Sequence, residues 1–230
     1  MRTVDVAFRS FDETELRGQL YLPGEGGGRL PVVCICHGIP VAPREPGDRG
    51  YAELAEMFCS EGFAALTFNF RGVGLSGGDF DLLAWPADLE AAVDYLYNHK
   101  DIDPARLGVA GFSGGALAAL YAASRDPRIK ALALCSTPAD TSKITMEHVE
   151  DLIAKARESG SLRGVDQPGA AAKLKKDFDL LNPLGLINSL TCPVLILHGG
   201  SDELVHPSQA EELYRRAREP KWLEVVEGAP

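Results

Sequence analysis

Residues 107–124 read LGVAGFSGGALAALYAAS, and they pass from a β-rich run into a helical run with no loop between. A chain that turns this sharply needs small residues on both sides of the bend, because any side chain there would meet the backbone as it doubles back. The bend carries Gly111-Phe-Ser113-Gly-Gly115, a G-x-S-x-G segment that lifts a serine hydroxyl to the edge of a sheet. The helix opening behind it presents its first amide, that of Gly114, and the positive end of its dipole to the same point, where a developing oxyanion would form. A second match, Gly74-Leu-Ser76-Gly-Gly78, lies six residues past the strand end at Phe70. Gly-Gly-Asp-Phe-Asp follows it before any helix, so Ser113 and not Ser76 is the candidate nucleophile.

On either side of that bend the same alternation repeats. Apolar runs at 31–37, 63–70, 131–136, 194–199 and 222–226 read as strands, and PVVCICH at 31–37 is continuous enough for a strand buried on both faces. Helical patterns at 51–60, 116–124 and 208–217 separate them, as does one opening at Pro86 with the stripe Leu89, Ala92, Val93, Leu96, Tyr97. Val4–Phe8 and Leu16–Leu22 read as an opening hairpin followed by a flexible Gly24–Gly28 turn. The predicted fold is α/β: a mostly parallel sheet with an N-terminal antiparallel hairpin and helices on both faces. The interval 138–190 breaks the rhythm with two helical patterns, 146–157 and 170–178, and no strand between them. An insertion of that length predicts a helical lid or cap, with 1–137 and 191–230 forming the core.

Composition narrows the partners. The 230 residues carry 23 Lys and Arg against 33 Asp and Glu, a net charge of −10, with no basic block. That field repels nucleic acid and anionic membranes, and favours a small-molecule partner. No apolar stretch approaches the ~18–20 residues of a membrane span, and the charges scattered through residues 1–22 leave no signal-peptide pattern. Five cysteines without a CxxC pair read as reduced core thiols of a cytoplasmic protein, with no metal or organic cofactor implied. Gly72-Val-Gly74-Leu-Ser-Gly77 matches G-x-G-x-x-G after a strand, yet no helix opens on the third glycine. The next strand, at 107–112, also ends without the acid a dinucleotide ribose requires, so this is a glycine-rich turn.

A serine needs a base, an orienting carboxylate and oxyanion donors. His37-Gly38-Ile39 ends the first buried strand, and the Ile39 amide is the candidate second donor beside Gly114. Asp202, in HGGSDELV directly after the strand 194–199, is the candidate acid, with Asp140 the other option. Together HGI at 37–39, NFRGVGLSGG at 69–78, GFSGG at 111–115 and HGGSDELV at 198–205 resemble the α/β-hydrolase superfamily in order and spacing, over nearly the whole chain. Among its members the chain is similar to lid-bearing esterases such as cinnamoyl esterases and relatives of the dienelactone hydrolases. The resemblance implies an eight-stranded sheet, Ser113 as nucleophile, Asp202 as acid and a cap between 138 and 190.

Family order places the histidine after the last strand. His37 and His198 resemble the family's structural HG histidines, His99 and His148 fall on helices, and His206 opens one only four residues past Asp202. The pattern therefore predicts the base at position 231 or within a few residues, in a natural chain that continues beyond Pro230. The expected activity is hydrolysis of a carboxylic ester through an acyl-enzyme on Ser113. A thioesterase, amidase or perhydrolase using the same residues, and a catalytically silent binding protein of this fold, are the alternatives. Homo-oligomer formation is compatible with the sequence, since a sheet face without its closing helix would be apolar and prone to association.

Overall fold

A computed structural model describes residues 1–24, 28–41, 47 and 49–229, so most of the expected Gly24–Gly28 turn lies outside the described residues. Eight strands form one sheet: β1 (Arg2–Arg9), β2 (Glu15–Leu22), β3 (Leu30–Cys36), β4 (Ala64–Phe68), β5 (Ile102–Phe112), β6 (Ala131–Cys135), β7 (Val194–Gly199) and β8 (Lys221–Val226). Their order is β1-β2-β4-β3-β5-β6-β7-β8, antiparallel across β1/β2 and β2/β4 and parallel elsewhere. This is the predicted α/β architecture. The parallel strands β3 and β5–β7 deliver their C-terminal ends to one edge, where α/β sheets take their ligands. β5 begins five residues earlier than its apolar run, because Leu30 pairs with Ile102 ahead of a bulge that skips the polar residues between.

Helices α1 (Tyr51–Ser60), α2 (Trp85–Tyr97) and α3 (Gly114–Ala123) cover the two faces. α1 packs alone over Tyr21, Ile35 and Ala65, while the larger core lies on the other face. Pro86 takes the first turn of α2, and Leu89, Ala92, Val93 and Leu96 are buried; Tyr97, the last residue of the expected stripe, is exposed. Every residue of α3 except Tyr121 is buried. Its glycines and alanines let a helix that is apolar all round lie tightly between sheet and neighbours.

Between β6 and β7 the chain is helical: α4 (Met146–Ser159), α5 (Ala170–Leu180) and a single turn, α6 (Pro183–Leu186). Thr145 caps α4 by accepting the His148 amide, and Gly160 ends it in the left-handed conformation at φ 64°. α4 buries Val149, Ile153 and Ala156. The loop after α4 is fastened to the glycine-rich turn of residues 72–78. Leu162 bridges to Val73, and the Arg163 guanidinium donates to the carbonyls of Gly74 (2.8 Å), Gly78 (3.3 Å) and Ser76.

That same turn is braced from below by Arg71. Its guanidinium reaches the fully buried Asp88 at 2.7 Å, Asp12 at 2.8 Å and the Ser10 hydroxyl at 3.0 Å, and its own amide donates to Asp88. Burial pulls the Arg71 pKa down, but the bonds to Asp88 and Asp12 outweigh it and raise it. Removing one member of a buried pair strands the other charge, so Arg71→Ala is expected to cost about 3–5 kcal/mol in chemical denaturation. The Arg71 bond holds Asp12 down from 3.8 to about 2. A depressed carboxylate contributes stability above its unfolded pKa and loses it as pH falls through the folded value. The urea midpoint should therefore drop between about pH 4 and pH 2, and Asp12→Asn should flatten that part of the profile.

Candidate active site

At the junction of β5 and α3, Ser113 adopts φ 49°, ψ −117°, a conformation that costs a non-glycine residue energy and persists because its surroundings over-determine it. Its amide donates to the Cys135 carbonyl on β6 at 2.9 Å, and its carbonyl accepts the Ala116 and Leu117 amides. The side chain makes no capping bond to α3, which leaves the hydroxyl available. The flanking glycines explain the bend. A Cβ at Gly111 would stand 2.6 Å from the Ala116 Cα, and one at Gly115 would stand 2.2 Å from the His37 carbonyl oxygen. Gly38, next along from β3, lies so near that a Cβ there would meet the Ser113 Cβ at 3.3 Å.

Ile39 and Gly114, the predicted oxyanion donors, approach closely: a Cβ at Gly114 would stand 2.7 Å from Ile39 Cγ1 and 3.5 Å from the Ile39 nitrogen. As the first residue of α3, Gly114 has an amide with no partner inside the helix. His37 holds the β3 end in place: Nδ1 donates to the Gly38 carbonyl at 2.7 Å, and Nε2 accepts the Phe70 amide at 3.1 Å. Ser113, Ile39 and Gly114 line a cavity of about 250 Å³. Leu117, Ile144, Leu152 and Phe178 form apolar walls, and Lys143, His148, Asp151 and Lys155 from the segment around α4 stand at its polar side.

Asp202 follows β7 with its carboxylate mostly buried. Its Oδ1 accepts the Leu204 and Val205 amides at 3.0 and 2.8 Å, and its Oδ2 lies 3.5 Å from His198 Nε2. Leu204 and Val205, on the same turn, line the Ser113 cavity. Residues after β8 return to this turn, where the Ala229 carbonyl accepts the Ser201 amide at 2.8 Å. Asp140 also lines the cavity, but its Oδ1 is bonded to the Ser142 amide and hydroxyl; these bonds, with Lys143 nearby, lower its pKa.

The remaining candidates separate by environment. The Ser76 hydroxyl is buried, donating to the Asn69 carbonyl and accepting the Arg17 amide, as befits a structural turn. No helix follows Gly77; the next one is α2. His99 accepts the Asp101 amide and His206 is exposed beside Ser208. His148, exposed in the first turn of α4, lines the cavity. The five cysteines are free, and burial pushes the thiol of Cys135, adjoining the bend, up to about 12, far from thiolate chemistry. Gln209 on α7 (Ser208–Arg216), which no motif marks in the sequence, holds the passage from β6 toward α4 by accepting the Ala139 and Asp140 amides on Oε1. A lone glutamine in an amphipathic helix carries no pattern that marks it. Among the described residues no three His, Cys, Asp or Glu side chains cluster as metal ligands, and no helix is long and apolar enough to cross a membrane.

An eight-stranded, mostly parallel sheet with a strained serine between β5 and α3 defines an α/β hydrolase, and the chain is a hydrolase of that superfamily. The BD-FAE family model matches residues 19–217, and the chain belongs to that family. It is similar to the uncharacterized protein Rv2307c of Mycobacterium tuberculosis, at 31% identity over 97% of this chain and 70% of that one. Among solved structures it is similar to the Pyrococcus furiosus esterase Pf2001, with a TM-score of 0.72, 26% identity, and coverage of 99% of this chain and 83% of that one. It is also similar to the hypothetical protein PA2218 of Pseudomonas aeruginosa, with a TM-score of 0.76, 24% identity, and coverage of 99% and 86%. The backbone fit at Gly115 makes a direct test. Gly115→Ala must displace the His37 carbonyl and should cost at least about 3 kcal/mol, read as a lowered denaturation midpoint. Gly62→Ala, in open space at φ 85°, should cost about 1 kcal/mol by its backbone strain alone.

Proposed function

We propose that the chain is a serine esterase that cleaves carboxylic esters through an acyl-enzyme on Ser113. The observation that carries this reading is Ser113 itself, held in a strained bend with no side-chain capping bond and lining a cavity together with Ile39 and Gly114. Oγ attacks the ester carbonyl carbon while a general base removes its proton. The carbonyl oxygen gains the negative charge and is held by the two amides, each such donor worth ~3 kcal/mol in the transition state. Collapse expels the alcohol, which takes the proton back from the base, and water then repeats the sequence on the acyl-serine to release the acid.

Asp202 serves as the orienting acid for a histidine that follows β8. Supporting this, the chain leaving β8 runs beside the Asp202 turn through the Ser201–Ala229 hydrogen bond. Residues 138–190 act as a cap on a core of 1–137 and 191–230, a reading supported by Ile144, His148, Leu152 and Phe178, which line the same cavity as Ser113. A cavity of about 250 Å³ is below the ~300–1,000 Å³ that drug-sized ligands occupy, which suits a compact acyl group. The partner is thus a small-molecule ester, and five free thiols suit a reducing cytoplasm.

Hydrolysis of a 4-nitrophenyl ester series by the full-length protein tests the assignment. Ser113→Ala should lower kcat/KM by about 10³–10⁶-fold, leaving only what binding and the oxyanion amides provide. Activity unchanged by Ser113→Ala would overturn it. A parallel panel of thioesters and amides decides the leaving group.

A further inference from the structure

His198 closes β7 with its side chain wholly buried. Its Nε2 stands 2.6 Å from the Val205 carbonyl oxygen, which can only accept, so Nε2 carries the hydrogen. Its Nδ1 is buried and makes no hydrogen bond among the described residues. The ring therefore faces the Val205 carbonyl with its Nε2–H. The same Nε2 lies 3.5 Å from Asp202 Oδ2, too far for a full hydrogen bond yet on the oxygen that the backbone leaves free. Asp202 Oδ1, by contrast, is occupied by the Leu204 and Val205 amides.

Residues 202–205 are thus closed at both ends. The carboxylate gathers the amides of 204 and 205, and the imidazole holds the carbonyl of 205 from beneath. We infer that His198 is a positioning residue for Asp202: it fixes the acid turn through the Val205 carbonyl while Oδ2, which accepts no hydrogen bond among the described residues, is left for the base. The inference rests on reading Asp202 as the acid. The rigid ring holds its donor between the carbonyl and the carboxylate with two torsions where a flexible chain would need more.

The test is steady-state hydrolysis of 4-nitrophenyl acetate by the full-length protein, with active sites counted by a fluorophosphonate. His198→Leu, which removes the donor, should lower kcat per titrated site about 10–100-fold with KM changed less than twofold. His198→Gln, which restores a donor near the ε position, should recover kcat to within about threefold of wild type. Should the leucine variant not fold, His198→Asn, whose donor falls at the δ position, takes its place and should lose kcat likewise. Unchanged kcat per site in the donor-less variant would overturn the inference, as would a glutamine variant that falls as far as the leucine one. Asp202→Asn, run in parallel, separates the two claims. Its full activity would remove the acid reading and this inference together, while its loss beside an unaffected His198→Leu removes the inference alone.

Discussion

The site depends on backbone segments meeting where side chains have no room. The ends of β3 and β5 and the start of α3 converge so closely that one methyl group at position 115 would overlap the His37 carbonyl, and one at 111 would overlap α3 itself. Hydrophobic burial sets the layers of this fold, but that steric limit sets the atoms at the serine. It accompanies the positive φ of Ser113, lets α3 leave the strand directly, and brings Ile39 close against Gly114. Strain at Ser113 is tolerated because the Cys135 carbonyl and the first turn of α3 both hold its backbone.

That constraint is also why so much was legible beforehand. Glycine is the residue whose presence reports a backbone demand, so Gly111 and Gly115 could be read directly, and with them Ser113 and Gly114. The continuous run at 31–37 announced a strand covered on both faces, and Ile39 followed from where that strand must stop. That Asp202 stands in the turn leaving β7 could be read from the apolar run before it. Side chains that act by reaching across the fold were harder. Arg163 and Gln209 fasten segments some 70 to 90 residues apart in sequence, and nothing local distinguishes them from ordinary surface polar residues. His148 was assigned to a helix correctly, but which face of that helix turns to the cavity depends on how the whole segment docks.

Burial and reactivity divide the ionisable groups of this chain in a consistent way. Arg71 and Asp88, deep under the glycine-rich turn, satisfy each other and hold the loop that meets Leu162 and Arg163. Cys135, beside the candidate nucleophile, is silenced by desolvation. The charges at the cavity come in opposed pairs, Lys143 with Asp140 and Lys155 with Asp151, so that side of the pocket is polar without a strong net sign.

The Arg163 contact has a different chemical character from those pairs. Its guanidinium is held by peptide carbonyls of the 72–78 turn, groups that neither gain nor lose a proton as conditions change. The neighbouring Lys173–Asp81 bridge at the foot of α5 is exposed and open to ionic screening. One edge of the helical segment is therefore moored by a bond indifferent to acidity throughout the range in which a histidine base would titrate. That contact then adds nothing of its own to any pH response of turnover.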